Sequence, residues 1–504
     1  MRRALRWLAA PGVLLIAAWV WYRFWGPALP PERPWARDRR VAATDAAALR
    51  AAMETASRLP DTPRPPPGSP DVVFIVLDTF RADLLTAYGR PKDDAVVPHL
   101  DAWAAESRVW TNMLSSATWT LPSHATMFTG QLPYTHGAGY AARDAEPDER
   151  PLPQGADTLA GRFAAAGWRT VGIAANKAFV RRRWGLAQGF QVWLGEDLPD
   201  ASDGLPYLTA DRVVALATQA LSTRRDRPIF LFLNLMDVHA PYVSRRGFLK
   251  HPERLDRRLL PGGRGWSRVH LPMRLFGWVH PAARASLREA YDAEARFLDA
   301  ELQPLLARLP ALGVGARDVV LLTADHGEYL GDHAFRGHAQ DVYEPVLRVP
   351  LVARGPGFPA GTDLSALQTR DVPDLLLGAA GLPMFASGPR ASALQVAELY
   401  GSLERDLREP WFGARFDRVR RAFRLGSRKV IVGSDGSLEA YDVRDDPHEA
   451  RSMPDAPWVS ALRREGEGYL STLPVADVSR PLRVERDMDA DAALEALGYV
   501  DGDP

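Results

Sequence analysis

The 504-residue chain is predicted to fold as an α/β protein, a doubly wound and mostly parallel sheet followed by a smaller C-terminal α+β subdomain. Three observations carry this expectation. From Asp71 onward apolar runs alternate with amphipathic stretches, three of those runs close on a carboxylate, and near Pro383 the rhythm changes. Composition sets the limits: lysine plus arginine equal aspartate plus glutamate, 62 against 62, which argues against a general polyanion binder, so no nucleic-acid partner is expected. The chain has no cysteine. That excludes disulfides, thiolate metal ligands and a cysteine nucleophile.

The N-terminus opens Met1-Arg-Arg-Ala-Leu-Arg6 and continues with sixteen uncharged residues, Trp7 to Tyr22. As a helix this run is about 24 Å long against a hydrocarbon core of ~30 Å, but Phe24 and Trp25 extend it and Arg23 can snorkel. The arginines before it place the remainder of the chain on the outer side of the membrane. Residues 1–26 therefore read as a signal anchor or transmembrane helix in the inner membrane, with the rest extracytoplasmic, on the periplasmic or extracellular face. A cleaved signal peptide competes, although the aromatic stretch Trp19-Val-Trp21-Tyr22 makes a poor cleavage site; a buried helix is the remaining alternative. Residues 27–70 read as a Pro-rich linker with a short Ala-rich helical segment near Ala42–Leu59.

Residues 71–382 carry the main domain, with strands expected at Val72–Asp78, Arg169–Ala175, Ile229–Asp237 and Val319–Asp325. Helices are expected at Leu159–Ala166 and Pro281–Leu306. In residues 383–504 the pattern predicts a helix over Ser392–Leu407, then strand patterns at Arg421–Val432 and Ser437–Tyr441.

Asp78, Asp237 and Asp325 each end an apolar strand, and His239 and His326 follow closely. In an open parallel sheet the carboxyl ends of strands form the ligand-binding edge, which would gather these groups despite their separation in sequence. Oxygen and imidazole ligands from separate strands suit a divalent cation. A single strand-end aspartate is more often a turn or a cap; three together, two with histidines, reverse that weighting.

The nucleophile candidate lies in Ser116-Ala-Thr-Trp-Thr-Leu-Pro-Ser-His-Ala-Thr-Met-Phe-Thr-Gly130. Pro122 suits the first position of a helix and Gly130 its exit, so Thr120 is expected just before a helix N-terminus, where free N–H groups favour an anionic ester. A cation would lower the pKa of its hydroxyl. The competing assignment makes Thr120 a plain N-cap, with Ser123 and His124 as surface polar residues.

These segments resemble the sulfatase family of the alkaline-phosphatase-like superfamily. The resemblance runs through DVVFIVLDTFRADLLTAYG at Asp71–Gly89 with Val97-Pro-His-Leu-Asp101, Trp119–Gly130 with Pro133-Tyr-Thr-His-Gly137, Asp237-Val-His-Ala-Pro-Tyr242 and Thr323-Ala-Asp-His-Gly-Glu328. It continues through Gly337-His-Ala-Gln-Asp-Val-Tyr-Glu344, Arg348–Gly357 and Leu497-Gly-Tyr-Val500, in order along the chain. It implies metal ligation by Asp78, Asp325 and His326, with Thr120 at the nucleophile position and also on the metal. His239 and His338 match positions that contact the transferred group or protonate its leaving oxygen. His124 replaces the arginine usual after Pro-Ser in formylglycine sulfatases, and is taken with Asp237 as substrate-binding; Thr79 replaces the second aspartate of the usual pair.

Formylglycine is made from cysteine or serine, and Thr120 can yield neither product. The set Asp78, Thr120, Asp325, His326 is similar instead to superfamily members with a threonine nucleophile, and the histidine in place of an amide ligand favours zinc or manganese over calcium or magnesium. The implied function is metal-dependent hydrolysis of a phosphate or sulfate ester through a covalent threonyl intermediate, on an anionic ester substrate. A membrane-anchored phosphoethanolamine- or phosphoglycerol-type transferase and a non-catalytic binding protein on the same fold are the alternatives. Asp237 is weighed as a ligand to a second metal or, preferably, as an acceptor orienting His239. His136 is expected to support its loop, and Arg181-Arg-Arg183 to form a solvated face.

Overall fold

The computed structural model describes residues 39–57, 63–139, 150–200, 205–223, 227–243, 245–260, 277, 279–385, 393–401 and 415–476. The expected anchor at 1–26 and the C-terminal Leu497–Val500 lie outside them. Among the described residues no helix is long and apolar enough to cross a membrane.

The central sheet has eight strands: β1 (Val72–Leu77), β2 (Arg108–Trp110), β3 (Arg169–Ala174), β4 (Val192–Leu194), β5 (Ile229–Leu235), β6 (Val319–Ala324), β7 (Leu351–Arg354) and β8 (Gly361–Asp363), in the order β8-β2-β7-β6-β1-β5-β3-β4. The four expected strands are all present, and the three expected to close on a carboxylate stop one or two residues before it, at Leu77, Leu235 and Ala324. β1 runs parallel to both β5 and β6, and β7 is antiparallel to its two neighbours β6 and β2. Every residue of β1, β5 and β6 is buried, as apolar runs covered on both faces should be. Register decides what happens at their ends. Leu77 pairs with Ala324, so Asp78 and Asp325, the next residues of their chains, leave the sheet side by side.

Helices cover the faces: α1 (Arg39–Ser57), α2 (Thr120–Thr129), α3 (Leu159–Ala165), α4 (Ala210–Thr223) and α5 (Pro281–Arg308). The helix α1, expected within a spacer, is instead docked on the domain. Leu49 and Met53 enter the core, and buried Asp45 takes both Nε and Nη2 of Arg212 on α4, at 2.7 and 2.8 Å. An amphipathic helix with a paired buried carboxylate belongs to the folded body, not to a tether.

The C-terminal part is a four-stranded antiparallel sheet, β9 (Gln395–Leu399), β10 (Arg420–Leu425), β11 (Arg428–Gly433) and β12 (Leu438–Asp442), backed by α6 (Val459–Ser471). Gly466 lets α6 lie on Phe423, where a Cβ would meet the ring at 2.2 Å. Here the prediction of a helix over Ser392–Leu407 is corrected: its described core is strand β9. Residues 395–399 are buried throughout, paired with β10 on one side, while Glu398 N–H donates to Ser116 O at 3.0 Å on the other. Backbone pairing on both edges overrides the helix propensity of Gln, Ala, Glu and Leu.

Candidate active site

One oxygen or nitrogen from each of Asp78, Asp325 and His326 falls within 4.8 Å of the others, and all three residues are buried. Each is held by the strand end that carries it. Asp78 Oδ2 accepts from Asn176 Nδ2 at 3.0 Å and Asn234 Nδ2 at 3.4 Å. Asp325 Oδ1 accepts the backbone N–H groups of His326 (2.8 Å) and Thr79 (3.2 Å), and Ser123 Oγ donates to the Asp325 carbonyl at 2.6 Å. His326 Nδ1 lies 2.9 Å from the Gly327 carbonyl, which can only accept; the proton therefore sits on Nδ1 and the Nε2 lone pair faces the cluster. Thr120 Oγ1 is 3.5 Å from that Nε2.

The remaining carboxylate oxygens, Asp78 Oδ1 and Asp325 Oδ2, are buried with no hydrogen-bond partner. Two orphaned carboxylate oxygens beside an imidazole lone pair and a hydroxyl form a donor set that a divalent cation fits. Electrostatics agree. Burial, then the neighbouring Asp325, pushes the Asp78 carboxyl up to about 8, and burial does the same to Asp325. Cation binding to the cation-free protein should therefore displace protons, with affinity rising as the pH approaches about 8 and levelling above it. Calorimetric titration with zinc in buffers of different ionisation heat measures the release; an affinity flat from about pH 6 to about pH 9 would contradict it. The same shifts make the cation-free fold lose stability as pH rises from 3.8, the ordinary carboxyl value, through about 8.

Thr120 lies inside the first turn of α2, whose N-cap is Trp119, so Pro122 is the third helical residue and not the first. The exit is as expected, with Gly130 at φ 68. Two more histidines complete the group: the ring centroid of His338 lies 4.4 Å from that of His326 and 5.1 Å from that of His239. Glu328 Oε1 is 3.4 Å from His338 Nδ1. The His239 Nδ1 bonds the adjacent Ala240 carbonyl, and burial followed by the nearby His338 lowers its pKa to about 3, leaving it neutral at ordinary pH.

The two residues expected to bind substrate, His124 and Asp237, are both fully buried. His124 is fully buried one turn below Thr120: its Nδ1 lies 2.9 Å from Thr120 O and 3.5 Å from Asp325 Oδ2, and its ring meets the edges of Phe128 and Phe232. It braces the Thr120 backbone from behind. Asp237 does not orient His239; its Oδ1 accepts from Ala210 N–H at 3.2 Å and Arg245 Nη1 at 3.4 Å. Register explains this, because Leu77 pairs with Leu235 and Asp237 comes two residues later, past the edge where Asp78 sits. His136 bonds Thr126 Oγ1 and the Ala138 N–H, the supporting role expected. The arginine run is a solvated face only in part: Arg182 is exposed while Arg181 is buried, and both pair with Glu196, at 2.7 and 3.0 Å.

Sequence reasoning missed Asn176, Asn234 and the partnership of Glu328 with His338. Asn234 left a signal, as a polar residue inside the apolar run of β5.

The Sulfatase family model matches residues 70–382. An ulvan-active sulfatase of Formosa agariphila is 24% identical over 437 residues, covering 80% of this chain and 81% of that protein. A choline-sulfatase of Rhizobium meliloti is 24% identical over 446 residues, covering 77% and 83%. Among solved structures, the phosphonate monoester hydrolase of Silicibacter pomeroyi aligns with a TM-score of 0.58 at 19% identity, over 80% of this chain and 95% of its own.

Proposed function

Because the chain belongs to the sulfatase family, and as such is a hydrolase acting on ester bonds, we propose that it cleaves sulfate or phosphate esters with Thr120 as nucleophile at a divalent-cation site made by Asp78, Asp325 and His326. The observation that carries this reading is the pair of orphaned buried oxygens, Asp78 Oδ1 and Asp325 Oδ2, next to His326 and Thr120. Bound there, a cation would lower the pKa of the Thr120 hydroxyl and neutralise charge on the ester; zinc or manganese suits the mixed oxygen and nitrogen donors.

The residues supply the rest. Thr120 Oγ attacks the phosphorus or sulfur in line, forming the threonyl ester as the bond to the alcohol oxygen breaks. The leaving oxygen takes a proton from His338, for which the Glu328 carboxylate beside Nδ1 stabilises the protonated ring. His239, held neutral, carries no extra proton to transfer at ordinary pH and serves as a hydrogen-bonding group toward the ester. In the second half His338 accepts a proton from water, which attacks the threonyl ester, frees Thr120 and releases the inorganic anion. Hydrolysis of a threonyl ester at phosphorus follows directly from this scheme, and this favours phosphoryl substrates within the class. Transfer to a glycolipid instead of water is the competing outcome.

A panel of aryl and alkyl phosphate monoesters, phosphodiesters and sulfate esters, assayed with zinc, manganese and calcium, tests the proposal. Hydrolysis of none of them, with no cation bound, would overturn it. Within the panel, His338→Ala should slow alkyl esters about 10²–10⁴-fold and nitrophenyl esters much less, since a good leaving group needs no proton; equal losses on both would remove His338 as the acid. We also propose, from the arginines and uncharged run of residues 1–22, that the enzyme is tethered to the inner membrane and faces outward. Membrane fractionation with protease accessibility tests this.

A further inference from the structure

The turn that leaves β1 is unusual at Thr79, whose φ is 57. A β-branched residue avoids this left-handed region unless its surroundings impose it. The turn matters because Thr79 N–H is one of the two donors on Asp325 Oδ1. It is closed from outside by one hydroxyl on the middle of α5: Tyr291 OH donates to Thr79 O at 2.8 Å and accepts Arg81 N–H at 2.9 Å. Tyr291 is completely buried, and burial keeps the phenol protonated and able to donate. The same ring is met edge-on by Tyr242, centroid to centroid 5.9 Å, three residues after His239.

We propose that Tyr291 is a positioning residue for the active site: it holds the Asp78–Arg81 turn in its left-handed form so that Thr79 N–H reaches Asp325, and through Tyr242 it steadies the loop carrying His239. This rests on the assignment of Asp78, Asp325 and His326 as the cation site. Tyr291 touches neither the cluster nor a substrate, so its influence passes through the turn. Nothing in the local pattern of α5 marks it out; only its contact with the turn after β1 does.

Tyr291→Phe tests this in the full chain, since phenylalanine keeps the ring and the contact with Tyr242 while removing both hydrogen bonds. Tyr88→Phe is the control. Its hydroxyl is likewise buried, donating to Trp110 O at 2.6 Å and accepting Leu351 N–H at 2.7 Å, and it bridges β2 and β7. Tyr291→Phe should bind zinc about 10-fold more weakly and turn over about 10–100-fold more slowly, with KM changed less than about twofold. Tyr88→Phe should lower the unfolding temperature by a similar amount yet keep the wild-type zinc affinity and kcat. Wild-type zinc affinity and kcat in Tyr291→Phe, or equal losses in the two variants, would overturn the proposal. A wild-type protein that binds no zinc removes the cation site itself and the proposal with it, an outcome distinct from an unaltered variant beside a zinc-binding wild type.

Discussion

Thr120→Ala abolishes turnover, by about 10⁴-fold or more, and leaves the fold intact. The two halves of that expectation have separate causes. Turnover is lost because Thr120 Oγ1 is the hydroxyl that faces His326 across 3.5 Å, in the first turn of α2. The fold is retained because that hydroxyl caps nothing: the N-cap is Trp119, and Thr120 is the first helical residue, where losing the hydroxyl breaks no helix hydrogen bond. Steady-state rates on an aryl phosphate and an aryl sulfate, beside circular dichroism and thermal unfolding, measure both halves. Activity surviving within about tenfold of wild type in a folded Thr120→Ala protein would exclude Thr120 as the nucleophile.

Asp325→Asn empties the cation site, with bound metal expected to fall to about a tenth of the wild-type content or less and the rate with it. The two backbone donors on Oδ1, from His326 and Thr79, require an acceptor there, so the amide oxygen takes that place. The amide nitrogen must then occupy the position of Oδ2, 3.4 Å from His326 Nε2. A ligand oxygen is replaced by N–H groups that point at the remaining lone pair. Removing a buried carboxyl whose pKa is raised to about 8 also relieves the cation-free fold of a cost that grows with pH, so the variant should gain stability relative to the cation-free wild type near pH 8. Elemental analysis and unfolding curves check the two parts independently; full metal occupancy in Asp325→Asn would rule Asp325 out as a ligand.

The residues legible in the sequence are those whose role depends on a strand end. Asp78, Asp325 and His326 close apolar runs, and because β1 and β6 pair in step the structure brings them together as the pattern implied. Asp237 carries the same strand-end signal and His124 follows Thr120 along a helix, yet neither joins the set of Asp78, Asp325 and His326. His124 follows Thr120 by four residues on one helix, which puts it on the same face but one turn deeper, behind the site. Asp237 overshoots the edge of the sheet by two residues and meets Arg245. In both cases depth along an element, not residue type, decided whether the side chain reaches the cluster.

By itself the sequence determined the sheet and the ends of its central strands, because apolar periodicity is a local property. The tertiary structure alone decided that Asn176 and Asn234 hold Asp78, that Glu328 faces His338, that Tyr291 staples the turn at Thr79, and that residues 395–399 are a strand bracing Ser116. Those are pairings between segments far apart in the chain. Burial demands a partner for each polar group, and which partner arrives is set by register and packing, to which no single segment holds the information.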